Sequence, residues 1–261
     1  MSLAHCFAGI ATLFLVLLIH EFGHFLAAWA VGLRSSRIVV GLGACLFRFR
    51  ARSWDLQINL FPVAGYVVLP DYEVTNYWRI NGELLPIVFV KRKPALWKEL
   101  LVFAAGPGAN ILAAVTLLAA AHADFGRLGR VEKARTAAHW KRSPAKRLAI
   151  ELTYPMSHAA GPIGIVYTWV AASSHSIRNW LHYTAALNAA IAIFNLFPMF
   201  PLDGGRMVGS IICRIAPGLE QSRWTGRFIN TQLALLGVLV LFAFWLDIEP
   251  FLHRFVPRSF G

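Results

Sequence analysis

The sequence predicts an integral membrane protein, mostly α-helical, with about four transmembrane helices and a membrane-associated β-hairpin or sheet in the first loop. Three observations predict it. The 261 residues are 57% hydrophobic and only 15% charged, with a mean hydropathy of +0.55; soluble domains run near ~45–50% apolar and ~25% charged. Four apolar runs recur along the chain. The long connection after the first run instead alternates with a period of two. This composition excludes a soluble globular domain, a disordered chain and a collagen-like fibre. The 25 Lys+Arg against 13 Asp+Glu give a net charge of +12. That excess fits basic loops at a lipid surface better than a nucleic-acid interface, so the expected partner is the bilayer and no nucleic acid. The length suits one compact unit, and 1–261 reads as a single polytopic domain.

The first run, 7–31, is FAGIATLFLVLLIHEFGHFLAAWAV, 25 residues. As a helix it spans ~38 Å, enough for a ~30 Å hydrocarbon core. No basic residue precedes it and no small-residue cleavage site follows, so it reads as a span and not as a signal peptide. A β element is expected at about 38–69. There Phe47 and Phe49 alternate with Arg48, Arg50 and Arg52, and Leu56, Ile58 and Leu60 alternate with Asp55, Gln57 and Asn59. Ser53-Trp54 interrupts the two runs, which is the pattern of a β-hairpin. Pro62, Gly65 and Pro70 then punctuate a third short strand at 66–69. A hairpin followed by the apolar FPVAGYVVLP can lie against the membrane.

The second span, 100–121, has no charge. The third is expected at 181–200, preceded by an apolar stretch at 161–172 that is too short to cross and reads as interfacial or re-entrant. The fourth is 233–248. Loops on one side of this topology carry 14 Lys/Arg and those on the other 11, a bias that slightly favours an external N-terminus. Cys6, Cys45 and Cys213 show no CxxC spacing and read as small buried hydrophobes.

Chemistry enters with His20-Glu21-Phe22-Gly23-His24, an HExxH inside the first span. On a helix, His20 and His24 share a face at a spacing that chelates one metal ion, and Glu21 is placed to act as general base on a water held there. Ionisable groups near a bilayer centre are costly, and a divalent cation compensates two His and a Glu. HExxH supplies two ligands, so a third must come from the remaining His residues or the acids. His5, His122, His139, His158, His175, His182 and His253 are scattered near span ends or in basic loops. Asp203 stands out. It lies in NLFPMFPLDGGR at 195–206, where Pro198 and Pro201 break the helix and Gly204-Gly205 permits a tight turn. Irregular backbone at membrane depth is tolerated where it lines a cavity, and a carboxylate on it is a functional candidate.

With HEFGH at 20–24, FAAGPGAN at 103–110, NLFPMFPLDGG at 195–205 and VAGYV at 63–67, the chain resembles the site-2 protease family of intramembrane zinc metalloproteases. The resemblance covers three spans and the first loop. It implies one zinc ion held by His20, His24 and Asp203, with Glu21 as the catalytic base. It implies that Asn195 contacts the substrate backbone and that Asn110 is a packing or hydrogen-bonding residue, such as a polar tie between helices. The implied substrate is a transmembrane protein, cut in or near its membrane segment. The implied location is a multi-pass position in a bacterial cytoplasmic membrane. Many members carry a PDZ domain between the second and third spans; here a basic stretch of only about 60 residues, 122–181, stands there instead. Two rival readings use the same residues. A metal-handling transporter would show charges on more than one pore-lining span, yet the second and fourth have none except Asp247 at the end of the fourth. A catalytically silent membrane scaffold would have lost a ligand or the base, and here each is present.

Overall fold

A computed structural model describes residues 3–33, 37–68, 74–80, 83–89, 94–122, 177–217 and 223–255. The elements run α1 (Leu3–Ala30), β1 (Arg37–Arg50), β2 (Asp55–Val68), β3 (Val74–Ile80), β4 (Glu83–Phe89) and α2 (Leu96–His122). They continue with α3 (Ile177–Asn195), α4 (Asp203–Ile215) and α5 (Arg223–Phe255). Among the described residues, three segments are long and apolar enough to cross a membrane: Phe7–Ala30, Leu96–His122 and Thr225–Leu246. The expected third span appears as α3, which ends at Asn195 and not at 200. Pro198 forces that end, because the residue before a proline is driven out of the helical region. α3 buries Thr184 and Asn188, polar side chains turned inward, and is not among those three segments. The apolar stretch 161–172, and all of the basic loop 122–158 except His122, lie outside the described residues.

The residues form two compact units. The smaller comprises 1–9, 116–183 and 237–261. Within it the His122 and His182 rings face each other at 5.2 Å between centroids. The larger comprises 10–115 and 184–236 and contains every residue discussed below as a site.

In the larger unit α1 stops at a glycine. Gly32 takes φ +77°, the Gly32 N–H donates to the Trp29 carbonyl and the Leu33 N–H to the Ala28 carbonyl at 2.8 Å. This pair of bonds satisfies the last carbonyls of the helix, and a side chain at that φ would be strained. Ala28, Leu33 and Val102 form one apolar cluster between α1 and α2. Phe25, Ile38 and Val40 form a second, with Leu18, Trp54, Leu56 and Val67 packed on it, which seats the sheet on α1.

β1 and β2 are both bent, so each pairs more than once. Residues 45–50 run antiparallel to 55–59, 37–40 run parallel to 55–58, and 37–40 also run antiparallel to 65–68. The segments therefore lie in the order 45–50, 55–59, 37–40, 65–68, and the expected third strand is the far end of β2. Gly41 (φ +92°) and Gly43 (φ +89°) make the bend in β1. A Cβ on Gly41 would stand 2.9 Å from the Asn59 and Phe61 carbonyl oxygens. Asn59 fills the inside of the bend: its Nδ2 donates to the Gly41 carbonyl at 3.0 Å, and Gln57 Nε2 donates to its Oδ1 at 2.9 Å. The polar face of 55–59 is thus the buried one, while Phe47, Phe49, Leu60, Phe61 and Val63 are exposed. That is the inverse of a water-facing hairpin and suits an apolar surrounding. β3 and β4 form a separate antiparallel pair that the sequence pattern did not announce.

Candidate metal centre

An α-helix sets i and i+4 on one face, so α1 presents His20 and His24 together, and both are buried. Asp203 arrives as the first residue of α4, and the turn before it explains how. Leu196 N–H bonds the Ala192 carbonyl, Met199 N–H the Phe197 carbonyl at 2.7 Å, and Leu202 N–H the Met199 carbonyl at 2.9 Å. Phe200 N–H donates to Gln232 Oε1 on α5 at 2.9 Å. The turn presses on the start of α4: a Cβ on Gly204 would lie 2.6 Å from the Phe197 carbonyl oxygen, and one on Gly205 2.6 Å from Phe200 N. Both glycines are required for that approach.

The three side chains close a triangle. His20 Nε2 is 3.0 Å from Asp203 Oδ2, His24 Nε2 is 3.2 Å from the same oxygen, and the two Nε2 atoms are 3.2 Å apart. A tetrahedral zinc ion with bonds of ~2.0–2.1 Å holds its ligand atoms ~3.3–3.4 Å from one another, so the triangle has the dimensions of a single-ion site. The hydrogen bonding points the same way. His24 Nδ1 donates to the Val102 carbonyl at 2.7 Å. A neutral ring with its proton there directs a bare Nε2 lone pair into the triangle. Two ring nitrogens and a carboxylate oxygen facing one another at this range repel unless positive charge lies among them. Among the described residues, His20, His24 and Asp203 are the group able to hold a metal ion.

Two glycines make room for the site. A Cβ on Gly106 of α2 would overlap the His24 ring. A Cβ on Gly65, in the outermost segment of the sheet, would stand 2.6 Å from Glu21 Oε1. Glu21 is 4% exposed, so it lies buried beside the triangle with the face of the 65–68 segment against its carboxylate. Arg206, one turn into α4, brings positive charge towards both Glu21 and Asp203.

The other sequence candidates stand differently. Asn195 Nδ2 donates back to the Ile191 carbonyl at 3.0 Å, and among the described residues no hydrogen bond links it to the triangle. Asn110 is 0% exposed, and among the described residues neither of its amide atoms has a hydrogen-bond partner. Sequence reasoning missed the Val102 carbonyl and Gln232, which carry no sequence signal. Gly65 and Gly106 lay inside the quoted motifs, but their contacts are visible only in three dimensions.

Comparison with known proteins gives three findings. The family described as Peptidase family M50 matches residues 8–241. A Chlamydia pneumoniae protein named "Putative zinc metalloprotease" is 33% identical over 132 residues, 49% of this chain and 21% of that protein. The chloroplastic membrane metalloprotease ARASP of Arabidopsis thaliana is 32% identical over 110 residues, 42% of this chain and 24% of that protein. The matches to these two relatives thus cover only about a quarter or less of their length. Among solved structures, the site-2 protease from Methanocaldococcus jannaschii aligns with a TM-score of 0.41 and 17% identity, over 96% of this chain and 79% of that one.

Proposed function

The chain belongs to peptidase family M50, the site-2 proteases, and on that premise we propose that it is an intramembrane zinc metallopeptidase. The reaction is hydrolysis of a peptide bond in or beside a transmembrane segment of another membrane protein. The observation that carries the reading is the buried triangle of His20, His24 and Asp203 at 3.0–3.2 Å with Glu21 beside it, on a helix apolar enough to cross the bilayer. The zinc named for the relative of Chlamydia pneumoniae supports the choice of ion. In this reading His20, His24 and Asp203 would hold one zinc ion, and the chemistry it would supply there is a water molecule made acidic near neutral pH and a polarised carbonyl. Glu21 takes the proton from the attacking water and returns it to the leaving amine.

The substrate must first unwind, because the backbone groups of a transmembrane helix are bonded internally. The segment 65–68 pairs on one side with 37–40, and among the described residues no strand covers its other side. An extended substrate adding to that edge would run past Gly65 and so past Glu21. The hairpin at 45–59 then supports the edge from behind. The proposed role of Asn195 is to hold the substrate backbone, with the side-chain atoms its bond to Ile191 leaves over. We read 1–261 as one protease domain in a multi-pass position. A bacterial cytoplasmic membrane is the location taken, from the sequence pattern and the bacterial relative.

The test is cleavage of a model transmembrane peptide by purified protein, with metal analysis alongside. Glu21→Gln is expected to keep zinc and lose cleavage. A chelator is expected to remove both, and Asp203→Ala is expected to lower zinc content. Normal proteolysis by Glu21→Gln would reject the base. Zinc without cleavage of any tested peptide by the wild-type chain would favour the scaffold or transporter readings.

A further inference from the structure

The two metal-binding imidazoles are not equally supported. His24 is fixed at its far nitrogen by the Val102 carbonyl at 2.7 Å. His20 Nδ1 is buried and, among the described residues, has no hydrogen-bond partner. Metal-ligating histidines are regularly oriented by a hydrogen bond at the nitrogen that does not face the metal. Without such a bond, His20 is free to carry its proton on Nε2 and donate it to Asp203 Oδ2 at 3.0 Å, an arrangement that blocks the metal.

The packing of α1 against α2 indicates where the missing support lies. The helices are antiparallel. Lys98 Nζ donates to the Val31 carbonyl, Val102 packs with Ala28, and Gly106 faces the His24 ring. Each step of four residues up α2 therefore matches a step of about four down α1, a rise of ~6 Å. One turn beyond Gly106 on the same face is Asn110, and one turn before His24 on its face is His20. Gly23, whose Cβ would lie 2.8 Å from the Ala109 Cβ, shows that the helices still touch at that level. Asn110 is fully buried with both amide atoms unpartnered among the described residues, at the level of a buried unpartnered ring nitrogen. An unsatisfied buried amide is costly, so apolar packing alone does not account for an asparagine there.

We propose that Asn110 is the positioning residue of His20: its amide oxygen accepts the His20 Nδ1 hydrogen, directly or across one water molecule. It thereby does for His20 what the Val102 carbonyl does for His24. The proton is held on Nδ1 and Nε2 is released to the metal. This inference rests on the proposed metal site.

The experiment uses the full chain in detergent, stripped by chelator and titrated with Zn2+ against a chromophoric competitor, then with Co2+ for its visible spectrum. Asn110→Leu is expected to bind Zn2+ about 10–100-fold more weakly and to shift the Co2+ bands, while its metal-free melting temperature holds or rises. Asn110→Asp, which keeps an acceptor oxygen, is expected to restore Zn2+ affinity and the wild-type Co2+ spectrum. Wild-type affinity and an unshifted spectrum in Asn110→Leu would overturn the proposal. If the leucine variant does not fold, Asn110→Ala against Asn110→Asp decides, and equal Zn2+ affinities overturn it. His20→Ala separates the two failures. Zn2+ binding lost in His20→Ala but intact in Asn110→Leu sinks this inference alone. No Zn2+ binding by the wild type sinks the metal site and this inference with it.

Discussion

Replacing Gly65 with alanine tests whether the outer strand is set against the Glu21 carboxylate proposed as the base. The added methyl would lie 2.6 Å from Glu21 Oε1, 2.7 Å from its Cγ and 2.8 Å from its Cδ. Ordinary contact begins near 3.4 Å, so the carboxylate must withdraw by about 0.8 Å, and a displacement of ~1 Å at a catalytic group can cost ~100-fold in rate. The obstructed atoms belong to one buried side chain, so the fold survives at the cost of local overpacking, about 1–3 kcal/mol. The assay measures initial rates on a doubly labelled transmembrane peptide in proteoliposomes, with zinc content determined on the same sample. A kcat lower by about 10–100-fold is expected, corresponding to ~1.4–2.7 kcal/mol of lost transition-state stabilisation, at unchanged zinc. Wild-type kcat with full zinc occupancy would refute the reasoning, since the methyl would then have displaced nothing that matters to the chemistry. Loss of zinc instead of rate would mean that the strand supports the ligands and not the base.

Gln232→Leu removes the acceptor for Phe200 N–H in the turn that delivers Asp203; weaker Zn2+ binding is expected with cleavage falling in parallel, and unchanged affinity would show that the turn holds without this bond. Arg214 reaches the buried Glu99 carboxylate at 3.6 Å and also donates to the Pro94 carbonyl. Arg214→Ala is expected to lower stability by about 1–3 kcal/mol in thermal unfolding, and adding Glu99→Gln to recover part of it; equal melting of the single and double variants would exclude the buried charge as the cause.

Much of this protein is legible in its sequence because bilayer physics is one-dimensional. A run such as 100–121, if it crosses a bilayer, must be helical whatever its neighbours do, since lipid offers its backbone no other partner. The HExxH spacing is equally local: four residues on a helix place His20 and His24 on one face wherever the helix goes. The sheet was half legible. Period-two alternation at 45–59 marked strands, but it suggested no side for burial, and the structure put Gln57 and Asn59 inside because the bend at Gly41 and Gly43 needs polar groups to satisfy it. The pair of β3 and β4 was not read at all, as its residues show no clean alternation.

By itself the sequence determined the membrane class, the apolar helices, two metal-ligand candidates and their adjacent base, and it marked Asp203 as out of place on an apolar segment. Each of these follows from composition or from spacing within one helix. Tertiary structure decided what depends on separate segments meeting: that Asp203 comes within 3.0 Å of His20 across 183 positions, that Val102 orients His24, and that Gly65 brings the outer strand to Glu21. The last two contacts are made by a backbone carbonyl and by a glycine with no side chain to signal them, and backbone chemistry is the same at every position until folding chooses which groups face one another.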